Sequence, residues 1–376
     1  MKLAVIKEKD ANERRVAITP EIIGDYVKLG IEVNIEKESG EAAGFSDEAY
    51  KQAGAKIGAT ANAVLSEADI VLKVQAPVAG NITAMKSGAV LVGLLASQEA
   101  NIIKKYADSK ISVFAMEYLP RITRAQSMDV LSSQSNIAGY KAVVDAFAEF
   151  DRVVPMMTTA AGTIRPAKVL VLGAGVAGLQ AIATARRMGA IVSAFDVRSV
   201  VKEQVQSLGA TFVEVPAEAD EGETKGGYAK EMSEAYKKKQ ATLIHDTIKA
   251  NDIVICTALI PGRPAPQLIT EKMVKDMKPG SVIVDLATAS GGNCALSQRN
   301  KIVSEFGVKI IGYDNMPARV PYDSSRLYAR NLFNFVQLMV NQKMNKIKID
   351  FEDEIIQNCL ITHDGRIVHP NYNKSK

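Results

Sequence analysis

The side chains most able to bind a polar ligand are concentrated in one short segment, residues 121–136 (RITRAQSMDVLSSQSN). It follows a short apolar run at residues 111–116, which is typical of a buried strand, and it precedes a helical apolar pattern at residues 137–150. Two arginines, a glutamine, an aspartate and several hydroxyl groups lie between these elements. Because open α/β sheets bind ligands at the carboxyl ends of their strands, this position predicts a ligand-binding loop. The alternative is a solvated loop in which Ser127 or Asp129 only caps the following helix.

A second segment, residues 169–178 (VLVLGAGVAG), has the glycine spacing of a dinucleotide-binding turn. It predicts a strand that runs into G-x-G-x-x-G and then into a helix over residues 179–188. Gly173 permits the tight turn, Gly175 lets the backbone approach a pyrophosphate, and Gly178 lets the helix pack close to the strand. The N–H groups at the helix N-terminus are expected to bind the phosphates. The alternative is a glycine-rich turn that has only a structural role.

The strand that follows, at residues 191–195, ends at Asp196, eighteen positions after Gly178 (196 − 178). A carboxylate at this point accepts hydrogen bonds from the adenosine ribose hydroxyls and repels a 2′-phosphate, so it favours NAD over NADP. Arg198 lies two residues later and could serve a 2′-phosphate. We expect the aspartate to decide the preference, because one flexible neighbour does not turn a carboxylate into a phosphate site.

The connection between Val213 and Ala241 is too long for a simple crossover between strand and helix. Its first half is acidic, and a double glycine at residues 226–227 is followed by Tyr228 and Met232. Connections of this length are usually functional lids or disordered tracts. We predict a mobile lid over the ligand, and the alternative is a solvated insertion.

Strand-like and helical patterns alternate along the whole chain, which predicts mostly parallel sheets with helices on their faces. We predict an α/β fold of two Rossmann-like, doubly wound parallel-sheet domains joined by long helices, with a ligand-binding cleft between them. The N-terminal domain is predicted at residues 1–137, and the NAD-binding Rossmann domain at residues 138–319. Residues 320–376 are expected to return to the first domain as a helix followed by a β-like tail.

The composition is that of an ordinary globular protein. The chain has 376 residues, 47% of them hydrophobic and 23% charged, which is enough for two or three domains with their own cores. A net charge of +4 without an arginine-rich arm argues against a nucleic-acid partner. The three cysteines lie far apart without CxxC spacing, so neither disulfides nor a bound metal are predicted. No signal segment or membrane-spanning run is predicted, so any membrane role is expected to come through a partner.

Several of these segments resemble one known family. The string RAQSMD at residues 124–129 strongly resembles the nucleotide-contacting loop in the NAD(H)-binding component of proton-translocating nicotinamide nucleotide transhydrogenases. GGYAKEM at residues 226–232 resembles the mobile loop of the same family. The segments at residues 257–266, 277–286 and 291–294 are similar as well, so the resemblance covers essentially the whole chain.

The resemblance implies a subunit that binds NAD(H), forms a homodimer and works with two separate polypeptides. One is an NADP(H)-binding subunit, and the other is a membrane subunit with a proton channel. The implied reaction is direct hydride transfer between NADH on this chain and NADP⁺ on the partner, coupled to proton movement. The implied location is cytoplasmic, on the cytoplasmic face of the inner membrane through those partners.

The resemblance also implies roles for individual residues. Arg121, Gln126 and Asp129 are the implied catalytic residues, because they hold the nicotinamide ribose and carboxamide. The other implied cofactor-binding residues are Ile122, Ser127, Met128 and Ser132 in and after the loop; Gly173, Gly175, Val176, Ala177 and Gly178 at the pyrophosphate; Asp196, Val197 and Arg198 at the adenosine; and Gly227, Tyr228, Gln240 and Leu259 at further contact positions.

Alanine dehydrogenases share part of this pattern. In them, an arginine and a lysine like Arg15 and Lys73 hold the substrate carboxylate, and a histidine just after the next strand moves a proton. The corresponding residues 90–97 of this chain (VLVGLLAS) contain no histidine. Exchange of an amine for a carbonyl needs a positioned acid or base, whereas hydride transfer between two nicotinamides needs only alignment and exclusion of water.

We therefore predict a transhydrogenase subunit in which Arg15 and Lys73 are structural ion-pair partners. The alternatives are an alanine-dehydrogenase-like enzyme and a non-catalytic module that senses NAD.

Overall fold

The chain forms two compact units, each built on its own sheet. The computed structural model describes residues 1–215, 234–260 and 262–372. Unit 1 comprises residues 1–134 and 317–376, and unit 2 comprises residues 135–316. The predicted boundaries lie three residues away from these (137 against 134, and 320 against 317). The predicted cleft between the domains stays a prediction.

The first part of unit 1 alternates strands and helices. In chain order its elements are β1 (Lys2–Val5), α1 (Pro20–Lys28), β2 (Glu32–Glu36), α2 (Asp47–Gln52), β3 (Lys56–Gly58), α3 (Ala61–Leu65), β4 (Ile70–Leu72), α4 (Ala79–Ala84), β5 (Val90–Gly93), α5 (Ala100–Asp108), β6 (Ser112–Ala115) and α6 (Val130–Glu149). Strands β4, β5 and β6 are buried at every position. Such continuous burial is typical of parallel strands that are covered on both faces.

Unit 2 has the strand order of a Rossmann fold. Its elements are β7 (Met157–Thr159), β8 (Gly162–Ile164), β9 (Lys168–Leu172), α7 (Val176–Arg187), β10 (Ile191–Phe195), α8 (Lys202–Ser207), β11 (Thr211–Val213), α9 (Glu234–Ala250), β12 (Ile253–Cys256), α10 (Glu271–Lys275), β13 (Val282–Asp285), β14 (Ile302–Glu305) and β15 (Val308–Ile311). The sheet runs β11-β10-β9-β12-β13-β15-β14, with β14 antiparallel to β15. The order reverses between β9 and β12, which is the topological switch point where such sheets bind ligands.

The C-terminal part of the chain completes unit 1. Its elements are α11 (Pro321–Gln337), β16 (Val340–Asn341), β17 (Lys346–Ile347), α12 (Glu354–Cys359), β18 (Leu360–His363) and β19 (Arg366–Ile367). The unit 1 sheet runs β19-β18-β6-β5-β4-β1-β2-β3, and β18 is antiparallel to β6. The turn between β18 and β19 has positive φ at Asp364 (43°) and Gly365 (80°), the signs that a type I′ hairpin turn requires.

Each sheet packs a hydrophobic core on both of its faces. In β9, Val169 and Val171 pack into one cluster and Leu170 and Leu172 into another, because successive side chains of a strand point to opposite faces. The strands of unit 1 alternate in the same way between two clusters. Both units are therefore mixed α/β structures with Rossmann-like parallel sheets. Within the described ranges, no helix combines the length and the apolar character needed to cross a membrane.

The helix after the polar loop begins earlier than its apolar pattern predicts. The pattern starts at Ile137, whereas α6 begins at Val130. The first two turns contain Ser132, Ser133 and Gln134, and these polar residues interrupt the apolar periodicity from which a helix is predicted. The Ser132 side chain bonds to Asp129, and those of Ser133 and Gln134 bond to the distant residues Asn331 and Arg15, which sequence periodicity does not reveal.

Close backbone packing in unit 2 predicts a large difference between two glycine-to-alanine changes. A Cβ atom on Gly139 of α6 would lie 2.0 Å from the carbonyl oxygen of Ala177, whereas one on Gly24 of α1 would meet nothing within 4 Å. We expect Gly139→Ala to reduce the free energy of unfolding by about 1–3 kcal/mol through overpacking. Gly24→Ala is the control and should raise it by up to about 1 kcal/mol, since alanine favours the helix. Urea unfolding followed by circular dichroism measures both, and equal effects would contradict the packing argument.

Candidate functional site

The glycine-rich turn of unit 2 lies at the carboxyl end of β9, beside the switch point. Gly173 has a φ of 101°, a conformation that residues with a side chain rarely adopt. A Cβ atom on Gly178 would lie 1.9 Å from the carbonyl oxygen of Gly173, so α7 can approach β9 only because position 178 has no side chain. The Thr257 hydroxyl, just after β12, donates to the same carbonyl over 2.9 Å. Backbone contacts thus fix the strand, the turn and the helix together.

The start of α7 leaves room for a phosphate group. Gly175 is the N-cap of this helix, and a Cβ atom there would meet nothing within 4 Å. Val176 is 42% exposed at the first helical position, and Ala177 is partly buried beside it. The first N–H groups of a helix lack partners within the helix, and its dipole favours a negative charge there. The backbone from Gly175 to Gly178 therefore fits the pyrophosphate of a dinucleotide.

Asp196 connects the second strand of unit 2 to the glycine turn. Its Oδ2 atom accepts a hydrogen bond from the backbone N–H of Ala174 over 2.7 Å. Arg198 donates to both carboxylate oxygens, from Nε to Oδ1 over 2.9 Å and from Nη2 to Oδ2 over 2.8 Å. The side chain of Asp196 is 6% exposed and that of Arg198 is 15% exposed. Asp196 and Arg198, which the sequence sets against each other as determinants of NAD or NADP preference, therefore form an ion pair. A ribose hydroxyl has to compete with Arg198 for the carboxylate.

Helix α9 adds a residue that sequence reasoning missed. Tyr236 lies near Asp196, and burial together with the charge of that carboxylate raises the pKa of the tyrosine hydroxyl. Gln240 follows four residues later and so lies on the same face of the helix. The lysine-rich pattern after Met232 predicts this helix, and the four-residue spacing from Gln240 could have revealed Tyr236 as its neighbour on the same face.

The loop after β12 carries Leu259, which is 49% exposed. Asn293 is fully buried and holds this loop, because its amide accepts from the N–H of Ala258 over 3.1 Å and donates to the carbonyl of Ala258 over 2.9 Å. The backbone N–H of Asn293 in turn donates to the buried carboxylate of Asp285 over 2.8 Å. The polar residues around position 293 thus position the loop and stay out of reach of solvent.

The polar loop of unit 1 contains a short 3-10 helix, Thr123–Met128. Ala125 and Met128 are buried in the main cluster of unit 1, and Ile122 packs partly against it. Residues three apart share a face in a 3-10 helix, so these three positions form its inner side. Gln126 is exposed. Met128 and Ile122 therefore anchor the loop, which leaves Gln126 to face solvent.

Asp129 caps α6. Its Oδ1 atom accepts from the backbone N–H of Ser132 over 2.9 Å, and its Oδ2 atom accepts from the Ser132 hydroxyl over 2.5 Å. The capping interpretation of this segment is therefore correct for Asp129, and it does not conflict with ligand binding, since both residues are partly exposed. Arg124 is bound differently, through two hydrogen bonds of 2.8 and 2.7 Å to Asp353 at the N-cap of α12.

A buried ionic cluster lies near the carboxyl ends of β1 and β4 in unit 1. Arg15 donates to both carboxylate oxygens of Glu13 over 2.8 and 2.7 Å and to Gln134 over 2.8 Å. Lys73 lies 2.8 Å from Glu8, and their side chains are 1% and 5% exposed. Burial raises the pKa of Glu8 in spite of the lysine, whereas for Glu13 burial is outweighed by the charge and hydrogen bonds of Arg15 together with the Gln75 amide, so its pKa is lowered. Arg15 and Lys73 are thus paired charges inside the unit.

None of the three histidines belongs to residues 90–97, but two lie near that segment in space, His363 through the Ser112–Val90 strand pair and His369 through Tyr372, whose hydroxyl donates to the carbonyl of Ala96. His363 contacts the Ser112 hydroxyl over 2.9 Å at the start of β6, and His245 contacts Asp276 over 2.8 Å in unit 2. The C-terminal tail brings His369 to the end of β6, where its ring stacks on Tyr118 at 4.2 Å between centroids. Burial lowers the pKa of His369. This stacked ring was not anticipated from the sequence, because it depends on the return of the tail.

The predicted residues therefore form two groups, each described within its own unit. Unit 2 brings together the residues proposed for the pyrophosphate and adenosine, Gly173 to Gly178 and Asp196 to Arg198, with Gln240 and Leu259 on elements beside the same sheet edge. Unit 1 holds Arg121 to Asp129 and Ser132. Gly227 and Tyr228, and with them the predicted lid, lie outside the described residues.

Comparison with known proteins places this arrangement in a family. The models for the N-terminal and C-terminal domains of alanine dehydrogenase/PNT match residues 4–138 and 142–370. The first part of the NAD(P) transhydrogenase alpha subunit of Rhodospirillum rubrum is 52% identical over 377 aligned residues, with 98% of each chain covered. This chain belongs to the NAD(P) transhydrogenase alpha-subunit family.

Further relatives separate the two branches of the family. The NAD(P) transhydrogenase alpha subunit of Haemophilus influenzae is 48% identical, with 98% of this chain and 72% of the relative covered. A solved transhydrogenase structure from Sinorhizobium meliloti has a TM-score of 0.86 at 44% identity, and it covers 99% of this chain and 100% of that one. The alanine dehydrogenase of Methanococcus maripaludis is 29% identical, with 98% and 95% covered. The transhydrogenase alpha subunits are therefore the more similar branch.

The ion pair at the adenosine position predicts opposite effects of two single changes on cofactor preference. We expect NADH to bind at least about tenfold more tightly than NADPH, a difference of roughly 1.4 kcal/mol. Asp196→Asn should narrow this ratio, because it removes the negative charge and leaves Arg198 for a 2′-phosphate. Arg198→Met should widen it, because it leaves the carboxylate unpaired. Calorimetric titration of each variant with both cofactors measures the ratio, and a change in the same direction for both variants would contradict the assignment.

Because Lys73 and Glu8 form a buried ion pair, removal of one partner alone should strongly reduce the free energy of unfolding. Lys73→Met should reduce the free energy of unfolding by about 3–5 kcal/mol, because it leaves a buried carboxylate without its cation. The double change Glu8→Gln with Lys73→Met should recover most of that loss, since neither charge then remains buried. Urea unfolding of the single and double variants tests this. If the double variant is no more stable than Lys73→Met, the loss of stability does not come from an unpaired Glu8 carboxylate.

Proposed function

We propose that this chain is the NAD(H)-binding subunit of a proton-translocating NAD(P)⁺ transhydrogenase, active only with its partner subunits. In this proposal, hydride passes directly between NADH on this chain and NADP⁺ on a partner subunit. The observation that carries it is the glycine turn of unit 2, where Gly178 lets α7 pack against Gly173 and Gly175 leaves the start of that helix open, while Asp196 binds the turn at Ala174. The names of the relatives at 52% and 48% identity support the same activity.

The loop of unit 1 would align the reacting ring. Arg121, Gln126 and Asp129, with Ser132 beside them, would hold the nicotinamide ribose and carboxamide. Bound NADH supplies the hydride. The loop can keep its residues in place because Met128 and Ala125 are buried in the unit core. Alignment of this kind contributes to the rate by holding the reacting atoms about 3–3.5 Å apart.

The ionic cluster of unit 1 favours this proposal over an amino-acid dehydrogenase. A site for a small carboxylic acid needs a net positive charge, whereas Arg15 and Lys73 are each paired with a buried glutamate. The observation that favours the alternative is His369, which the tail places beside Tyr118. Its ring is stacked, and its pKa is lowered by burial. The assay below therefore distinguishes hydride transfer to NADP⁺ from an alanine-dehydrogenase-like activity and from NAD sensing without turnover.

The partners follow from the proposed reaction. We propose a homodimer of this chain, an NADP(H)-binding subunit and a membrane subunit that carries the proton channel. The chain spans 72% of the Haemophilus relative, so that relative contains a further segment in the same polypeptide. The chain would then work on the cytoplasmic face of the inner membrane, held there by its partners.

The proposed reaction predicts the fate of an isotopic label. NADH deuterated at the transferred position, mixed with this chain, NADP⁺ and an NADP(H)-binding transhydrogenase subunit, should give deuterated NADPH, because the hydride does not pass through water. Mass spectrometry of the product measures the label. Without the partner, the chain should bind NADH and form no alanine from pyruvate and ammonia. Loss of the label to water, or alanine formation by the chain alone, would overturn the proposal.

A further inference from the structure

Helix α11 holds the polar loop of unit 1 through two asparagines, one turn apart. The side-chain amides of Asn331 and Asn334 both donate to the carbonyl oxygen of Ser127, over 2.8 and 2.9 Å. Both acceptor positions of that oxygen are thus used by the same helix. Ser127 lies between Gln126 and Asp129 in the chain, so the two amides fix the backbone at the centre of the loop.

Asn331 also reaches the first turn of α6. Its Oδ1 atom accepts a hydrogen bond from the Ser133 hydroxyl over 2.7 Å, while its Nδ2 atom donates to Ser127. One buried amide, 8% exposed, therefore connects the end of the 3-10 helix to the start of α6. Asp129, which caps α6, lies between these two points of attachment.

The asparagines are unfavourable for the helix that carries them. Asparagine is a weaker helix former than alanine or leucine, and the neighbouring Leu332, Phe335 and Val336 are buried in the core. A buried amide without partners would be costly, so the position is tolerable only because both ends of Asn331 are satisfied. The 3-10 helix itself has only six residues and poor internal hydrogen-bond geometry, so it needs support from outside.

We propose that Asn331 and Asn334 are positioning residues for the reaction, acting through the Ser127 carbonyl to hold Gln126 and Asp129 in their reactive arrangement. This inference rests on the proposed function. The asparagines do not need to touch the nucleotide. Loss of one amide would let the Ser127 peptide rotate, and the side chains on either side would move with it. A displacement of the aligning side chains by about 1 Å can lower the rate up to about a hundredfold. We therefore expect the loss to appear in the hydride-transfer step.

The test compares matched changes on the same helix. Asn334→Asp keeps the size of the side chain and replaces the donor with a carboxylate that repels the carbonyl. Gln337→Glu is the control, because it makes the same change of charge one turn later at an exposed position. Asn334→Gln keeps the amide and should rescue the function. Asn334 is only partly buried, so these variants are expected to fold, and thermal unfolding together with NADH titration checks this.

We expect Asn334→Asp to slow single-turnover hydride transfer to partner-bound NADP⁺ by about tenfold or more. The dissociation constant for NADH should change by less than about threefold, a difference below roughly 1 kcal/mol. Gln337→Glu should match the wild type, and Asn334→Gln should recover most of the rate. A wild-type chain that transfers no hydride would refute the proposed function itself. If the wild type transfers hydride and Asn334→Asp behaves like Gln337→Glu, or Asn334→Gln restores nothing, the positioning role is wrong.

Discussion

The structure of unit 2 depends on two places where backbones touch without side chains between them. Helix α7 packs against the glycine turn at Gly178 and Gly173, and α6 packs against α7 at Gly139 and Ala177. At both contacts a single added carbon would overlap a carbonyl oxygen. These contacts set how near the first turn of α7 lies to β9, and thereby where its N–H groups point. The space that fits a pyrophosphate is therefore a product of close helix packing as much as of the glycine turn.

Much of the fold and of the candidate nucleotide site in unit 2 could be predicted from the sequence, because the signals are local. Strands such as β12 and β13 are continuous apolar runs, and the glycines of the turn stand at fixed offsets along ten residues. Asp196 was found by its distance from Gly178. Its pairing with Arg198 was not predicted, since two charges two residues apart in a sequence do not reveal whether they face each other or a ligand.

The start of α6 and the support of the polar loop could not be predicted, for the opposite reason. Gln134 is bound to Arg15 across 119 positions, and Ser133 is bound to Asn331 across 198. Side chains that serve such distant partners interrupt the apolar period of their own helix. The loop residues were recognised by resemblance, whereas the residues that hold the loop carry no motif. A polar residue on the buried face of an amphipathic helix, such as Asn331 in α11, is the signal that could have revealed them.

The Asp196 and Arg198 pair has a consequence for how quickly the nucleotide can leave. A ribose hydroxyl that binds Asp196 replaces a charged partner, so it gains only the difference between two interactions, less than the roughly 0.5–1.5 kcal/mol of an ordinary hydrogen bond. Among related complexes, weaker binding shows mainly as faster dissociation. In the proposed function, the subunit would exchange its nucleotide on every cycle, so a short residence of the nucleotide would favour a high rate. The ion pair between Asp196 and Arg198 therefore favours rapid release of the nucleotide. A carboxylate without a charged partner would favour a longer residence of the nucleotide.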